Sequence, residues 1–320
     1  MNTICHKANY STNKNIKLNN ITSSIKRYKF IYLMLAPAVI YVLIFSYLPM
    51  LGVVMAFQDF DIIKGFRESP FVGIDNFVTI FTYPKFLNAI CNTLLYSSVL
   101  LFLGFPLPIM LALLFNELRS TILKKIVQTI SYMPHFFSWI SVIALFSAFF
   151  ALDGTFNDLR IWLFGEDVQR INILMDSKYF LGILFGSSIW KNIGWNSVIF
   201  LAAIAGIDQS MYEAAIVDGC GRFKQIFYIT IPSIMGTVVI VLILNMGQLV
   251  TSNFEQVFGF QNVFTQEKTE VINTLVYRQG IMSGQYSLST AFGLAQGIVS
   301  FLIVFITNKL AKKLSGIGIW

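Results

Sequence analysis

Residues 208–254 read DQSMYEAAIVDGCGRFKQIFYITIPSIMGTVVIVLILNMGQLVTSNF. The stretch changes character at Lys224. Before it the residues spell a short helix: Asp208 or Ser210 can cap its start, and Glu213 follows Ser210 by three, as in a capping box. Ala214 and Ala215 are strong helix formers with no bulk, so a partner surface can approach closely. Gly219 and Gly221 end the helix and permit positive φ. From Gln225 to Phe254 there are 30 residues without a charge, and Pro232 stands where a new helix can begin. Roughly 20 apolar residues cross the hydrocarbon core of a bilayer as a helix, so this run spans once.

Five similar runs complete the chain: Phe30–Gln58, Phe86–Asn116, Ile126–Leu152, Gln279–Asn308 and Tyr179–Ile207, the last interrupted only by Lys191. The expected fold is an all-α integral membrane protein of six transmembrane helices. The composition of the 320 residues agrees, with 56% hydrophobic, 12% charged and a mean hydropathy of +0.68. A soluble domain carries about a quarter of its residues as charge. Half that supply cannot cover a surface in water, which excludes a pair of soluble domains and argues against a nucleic-acid partner despite the net charge of +7. The first run is too long for the h-region of a signal peptide, holds Pro37 and Pro49, and has no small-x-small cleavage site after it.

Counting Lys and Arg by segment orients the spans. Residues 1–29, 117–125, 208–224 and 309–320 hold fourteen of them, the alternate segments 59–85, 153–178 and 255–278 hold eight, and Lys191 is the last of the 23. Both termini are therefore expected in the cytoplasm. The polar, basic segment 1–29 reads as a disordered arm along the membrane surface. Residues 30–58 are the first span, 59–85 an external loop, 86–308 the remaining membrane core, and 309–320 a cytoplasmic tail. In the second external segment an amphipathic piece, Leu159–Phe164, is expected to lie along the interface.

No segment carries a Ser/His/Asp set, an HExxH motif or clustered carboxylates, so neither a catalytic constellation nor a metal site is predicted. Cys5, Cys91 and Cys220 have no ligand spacing and are expected to act as small buried hydrophobes. Lys191 is expected to snorkel to the outer interface, and His135, after Pro134, to be a packing residue near the start of the third helix. A GxxxxGK[ST] phosphate loop is impossible, because the chain has no Gly-Lys pair.

The stretch EAAIVDGCGRFKQIFYITIP (Glu213–Pro232) resembles the EAA loop of ABC-importer permeases, in the carbohydrate branch related to the maltose-type and complex-oligosaccharide permeases. Ile231 stands for a usual Leu, Gly236 for a frequent second Pro and Cys220 for a common Ala; the Glu–Ala–Ala–Gly core is intact. FVGIDNF (Phe71–Phe77), YMPHF (Tyr132–Phe136), WKNIGWNSVIFLAAIAGID (Trp190–Asp208) and the segment from Tyr286 onward resemble the same branch, so the likeness covers Phe30 to Trp320. It implies a type I, MetI-like permease core in helices two to six, with residues 208–232 as the coupling loop. Glu213, Ala214, Ala215, Asp218, Gly219 and Gly221 would then dock on a cytoplasmic ATPase dimer. It further implies a second homologous permease, an extracellular solute-binding protein and a sugar substrate, in a bacterial plasma membrane. The chain itself needs no cofactor and is no enzyme, since ATP hydrolysis falls to the partner.

Polar and aromatic groups inside the spans are the candidates for sugar contact: Trp190, Asn192, Trp195 and Asn196 in helix four, Asn245 and Gln248 in helix five, and Gln296 in helix six. Aromatic faces stack on sugar rings and amides pair with hydroxyls. The same groups serve as interhelical hydrogen bonds or interfacial anchors, and that plainer role is the expected one for the set. Two other functions stay open. An ion-coupled secondary transporter would place carboxylates inside its spans, where this chain has none. A permease-like sensor subunit would have the same loop.

Overall fold

The computed structural model describes residues 27–82 and 84–319, in two units, residues 27–54 and 55–319. Residues 1–26 of the basic arm, with Cys5, lie outside the described residues. Regular structure among the described residues is helical, apart from one antiparallel bridge between Gln58 and Phe71. Five helices are long and apolar enough to cross a membrane, and six if a bent pair counts as one span.

Helix α1 (Lys29–Phe57) passes from α-helix to a π segment at Leu43–Tyr47 and a 3-10 segment at Leu48–Phe57. After the Gln58–Phe71 bridge comes α2 (Asp75–Thr82). The Asn of the FVGIDNF motif holds this corner: Asn76 Nδ2 donates to the carbonyls of Ala56 and Gln58, both at 3.0 Å. Helix α3 (Pro84–Glu117) carries a π segment at Leu100–Gly104 just before Pro106. Helix α4 is Thr121–Tyr132, capped by Ser120, whose hydroxyl accepts from Leu123 N.

The third span differs from the expectation of one helix over Ile126–Leu152. The chain breaks after α4 into a single 3-10 turn, Met133–Phe136, then turns extended at Phe137 and Ser138. Helix α5 (Trp139–Phe150) restarts with Ser138 as its cap, the hydroxyl accepting from Ser141 N at 3.2 Å. Pro134 begins the break, having no N–H to offer the preceding turn. The qualifying apolar stretch is displaced to Trp139–Phe164, in which a turn at residues 151–154 separates α5 from α6 (Thr155–Phe164).

Helix α7 (Ser177–Ala205) is followed, across a 69° bend, by α8 (Gln209–Val217). Helix α9 begins at Arg222 and ends at Met246, so the fifth span starts before Pro232, not at it, and stops short of Phe254. A π segment at Ile226–Thr230 accommodates that proline inside the run. Asn253 caps the next helix, α10 (Phe254–Phe260). The last apolar helix, α11, is Tyr286–Ser315, where a span over Gln279–Asn308 is expected. Residues Tyr277–Met282 form their own π turn, and Gly284 breaks the chain at φ 71°. Lys312 and Lys313 sit in the last turn of α11, where cations complement exposed carbonyls.

Two buried apolar clusters flank the middle of α7. One gathers Tyr96, Phe180, Leu184, Val257 and Val271 around its first half; the other gathers Ala112, Phe200, Ile204, Ile229 and Ile234 around its end. Between them lies the polar region described next. Of the cysteines, Cys91 is exposed and Cys220 half-buried, so the expectation of buried hydrophobes fails for Cys91; its place on the apolar α3 gives it a lipid-compatible neighbourhood instead.

Candidate functional site

The site is built on α7. Ser187, Lys191, Gly194 and Ser197 recur every three or four residues and are all buried, forming one polar, small-residue face of the helix. At Gly194 a Cβ would stand 2.0 Å from the carbonyl oxygen of Ser131, so only glycine lets α4 approach this closely. About two turns earlier, Ser187 Oγ accepts from Gln256 Nε2 at 2.8 Å. Gln256, wholly buried on α10, also donates to the Leu184 carbonyl and accepts from the Tyr96 hydroxyl. Sequence reading misses Gln256 because it falls in a segment that charge assigns to an external loop. The spacing of Ser187, Lys191, Gly194 and Ser197 is the available signal for the buried face.

Lys191 corrects another expectation. It does not snorkel: it is 6% exposed at the midpoint of α7. Its ammonium donates to the carbonyl of His135 at 2.7 Å and to that of Phe137, and lies 5.5 Å from the Trp139 ring centroid. A helix broken within a membrane strands carbonyls that water cannot reach. At this break a buried cation supplies the donors. His135 is a packing residue, as expected: its ring stacks on Trp195 at 4.8 Å and 2°, and Nδ1 pairs with Asn192 Oδ1 at 3.2 Å.

Facing the other way, α7 forms one wall of a cavity of about 510 Å³, with α3 and the end of α9 as the others. Five of the seven sequence candidates line it: Asn192, Trp195, Asn196, Asn245 and Gln248, joined by Ser97. No described residue on its wall is charged. Gln248 reaches the wall from the turn beyond the end of α9, not from the helix. Trp190 and Gln296 do not take part. Trp190 stacks on Phe137 and meets the edge of Phe146, while Gln296 Nε2 donates to the Val250 carbonyl at 2.6 Å and to Asn273 Oδ1. Those two have the interhelical role. The amides that remain, beside an indole 45% exposed, can hydrogen-bond hydroxyls and stack a ring.

Helix α8 leaves α7 through only Gly206, Ile207 and Asp208, and α9 follows it after residues 218–221. Asp208 is the cap, its carboxylate accepting from Ser210 N at 3.0 Å; that backbone bond, and the Ser210 side chain after it, hold its carboxyl below the ordinary aspartate range. No Ser210–Glu213 capping box forms. At the other end Cys220 N donates to the Ala215 carbonyl at 2.8 Å and Gly219 N to that of Ile216 at 3.0 Å, closing a Schellman turn with Gly219 at φ 76°. Gly221 is extended at φ −70° and caps α9 instead. Glu213, Ala214, Asp218, Gly219 and Gly221 are exposed, as are Ile216 and Val217, the latter by 87%. Ala215 and Tyr212 turn inward onto the Ile229–Ile234 cluster, and the Tyr212 hydroxyl pairs with Thr230 Oγ1 at 2.9 Å.

The comparisons with known proteins agree with this architecture. Protein LplB of Bacillus subtilis is 42% identical over 299 residues, 93% of each chain. The polygalacturonan/rhamnogalacturonan transport system permease protein YteP of the same organism is 41% identical over 91% of this chain and 90% of its own. Among solved structures, a bacterial ABC transporter involved in the import of the acidic polysaccharide alginate has a chain that superposes with a TM-score of 0.85 at 36% identity, covering 92% of this chain and 99% of its own. A structure of a bacterial alginate ABC transporter in complex with alginate pentasaccharide-bound periplasmic protein gives 0.84, also at 36% identity, covering 93% of this chain and 99% of its own. The model of the binding-protein-dependent transport system inner membrane component matches residues 104–315. The chain belongs to that family of membrane permeases.

Proposed function

We propose that this chain is one membrane half of an ATP-driven importer that carries an oligosaccharide inward by alternating access. The observation that carries the reading is that α8 is flanked in the chain by two walls of the cavity. Asn192, Trp195 and Asn196 lie on the helix before it and Asn245 on the helix after it. A push on α8 therefore reaches both walls through linkers of three and four residues. Its exposed face, with Glu213, Ala214 and Asp218, suits a cleft on a separate ATPase, the carboxylates pairing with basic groups there. The uncharged cavity wall suits recognition through hydroxyls and ring faces, and the named relatives' glycans supply the candidate sugars.

In this reading the chain crosses the membrane six times with both termini in the cytoplasm, the basic arm lies on the inner surface, and residues 86–308 form the core. A second permease completes the pathway, and a binding protein delivers the sugar from outside. The test is uptake into vesicles holding the assembled importer, with galacturonate, rhamnogalacturonan, arabinose and alginate oligomers as probes. Uptake should need both ATP and the binding protein. Glu213→Lys and Gly219→Pro should abolish it while the permease still inserts in the membrane. Uptake that runs on an ion gradient without ATP, or normal transport by both variants, would overturn the reading.

A further inference from the structure

Residues 135–137, at the break in the third span, each meet an aromatic ring of α7. His135 stacks on Trp195, Phe136 meets Trp195 edge-on at 5.6 Å, and Phe137 stacks on Trp190 at 6.4 Å. No backbone ladder fixes that contact, because the turn is one 3-10 turn followed by extended residues. What fixes it is Lys191, whose ammonium holds the carbonyls of His135 and Phe137. Lys191 is not on the cavity wall, but Asn192 and Trp195 are. Asn192 is held by His135, and Trp195 is covered on one face by it.

We propose that Lys191 is a positioning residue for transport: by pinning the broken third span to α7 it sets the orientation of Trp195 and Asn192 in the sugar cavity. The inference rests on the proposed sugar-binding role of that cavity. A buried ammonium is suited to this task. It offers three donors on one flexible stem, and no neutral side chain of similar length does so. Its burial is compatible with the membrane only while the carbonyls are paired to it, so cation and break stabilise each other.

The test is a double-mutant cycle in the complete importer, using whichever of the four oligomers the parent takes up best. Lys191→Met should raise the half-saturating sugar concentration about tenfold, within the roughly hundredfold that a misplacement of about 1 Å can cost. Lys191→Arg, which keeps the charge, should recover most of the loss. Trp195→Phe should also raise half-saturation, and the Lys191→Met/Trp195→Phe pair should be no worse than the worse single variant, because both act through one ring. A parent-like half-saturation in Lys191→Met, or single effects that multiply in the pair, overturns the proposal. If Lys191→Met does not assemble, Lys191→Gln, a neutral polar side chain one bond too short to hold both carbonyls, replaces it in the cycle, where the same two outcomes would overturn the proposal. A silent Trp195→Phe would sink the cavity reading itself; a changed Trp195→Phe beside a silent Lys191 variant sinks only the role of Lys191.

Discussion

At the scale of single residues, the middle of this protein depends on what α7 lacks as much as on what it carries. Gly194 has no side chain where the Ser131 carbonyl of α4 packs, and a Cβ there would come within 2.0 Å of that oxygen. The obstacle is backbone, which cannot rotate away as a flexible side chain does. Gly194→Ala should therefore part α4 from α7, at about the 1–3 kcal/mol typical of overpacking. Gly182, on the same helix, has nothing within 4 Å of its would-be Cβ; Gly182→Ala should be neutral or mildly stabilising, since alanine is the better helix former. Thermal unfolding in detergent separates the two. Equal melting temperatures for both variants would show that the close approach contributes little. Lys191 illustrates why such residues resist reading from sequence. Its partners are main-chain carbonyls, which leave no letter in the sequence, so a charge in an apolar run is assigned to the nearest interface.

At the scale of helices, three prolines share one accommodation. Pro49, Pro106 and Pro232 each come just after a π segment, at Leu43–Tyr47, Leu100–Gly104 and Ile226–Thr230. Proline has no N–H to donate, and its ring crowds the carbonyl four residues back. Widening the turn to an i→i+5 pattern relieves both, so the helix passes the proline without breaking. This is why α9 runs on from Arg222 through Pro232, while the charge-free run begins at Gln225 and the proline, read as a start signal, suggests a new helix at 232. The third span shows the opposite outcome. Pro134 does break the chain, because Ser138 caps a new helix and Lys191 serves the stranded carbonyls. The residues on both sides are equally apolar, so hydropathy reads straight through. Pro232→Ala should let the π turn relax to ordinary helix, which rotates the Arg222 end by about 100° against the rest of α9. The variant should melt at or above the parent and yet lose most of its uptake. Full transport would mean that the register set by the π turn does not matter.

At the scale of the whole molecule, the fold joins two kinds of surface by short rigid links. Much of that is legible in the chain: charge-free runs mark most spans, and the amides and indole mark five residues of the cavity wall. What periodicity cannot give is which face of each helix meets which neighbour, so Trp190 and Gln296 fall in with groups whose cavity they do not line. The inward face of α8 is hidden for the same reason. Tyr212 ties that helix to Thr230 in the π turn of α9 through a single hydrogen bond of 2.9 Å, while Glu213, its neighbour, faces outward. The two residues should therefore fail differently. Glu213→Lys places a cation on the face proposed to dock on the ATPase, and the ATPase should no longer hold the permease. Tyr212→Phe keeps the ring and the docking face and removes one neutral hydrogen bond, worth about 1 kcal/mol. The ATPase should still co-purify with that variant and still hydrolyse ATP, but fewer sugars should cross per ATP consumed, because α8 can shift without carrying α9. Measuring uptake and hydrolysis on the same vesicles gives that ratio directly. A parent ratio in Tyr212→Phe would show that the force on α8 reaches the cavity without that bond, through the chain linkers and the packing of Tyr212 and Ala215 on the Ile229–Ile234 cluster.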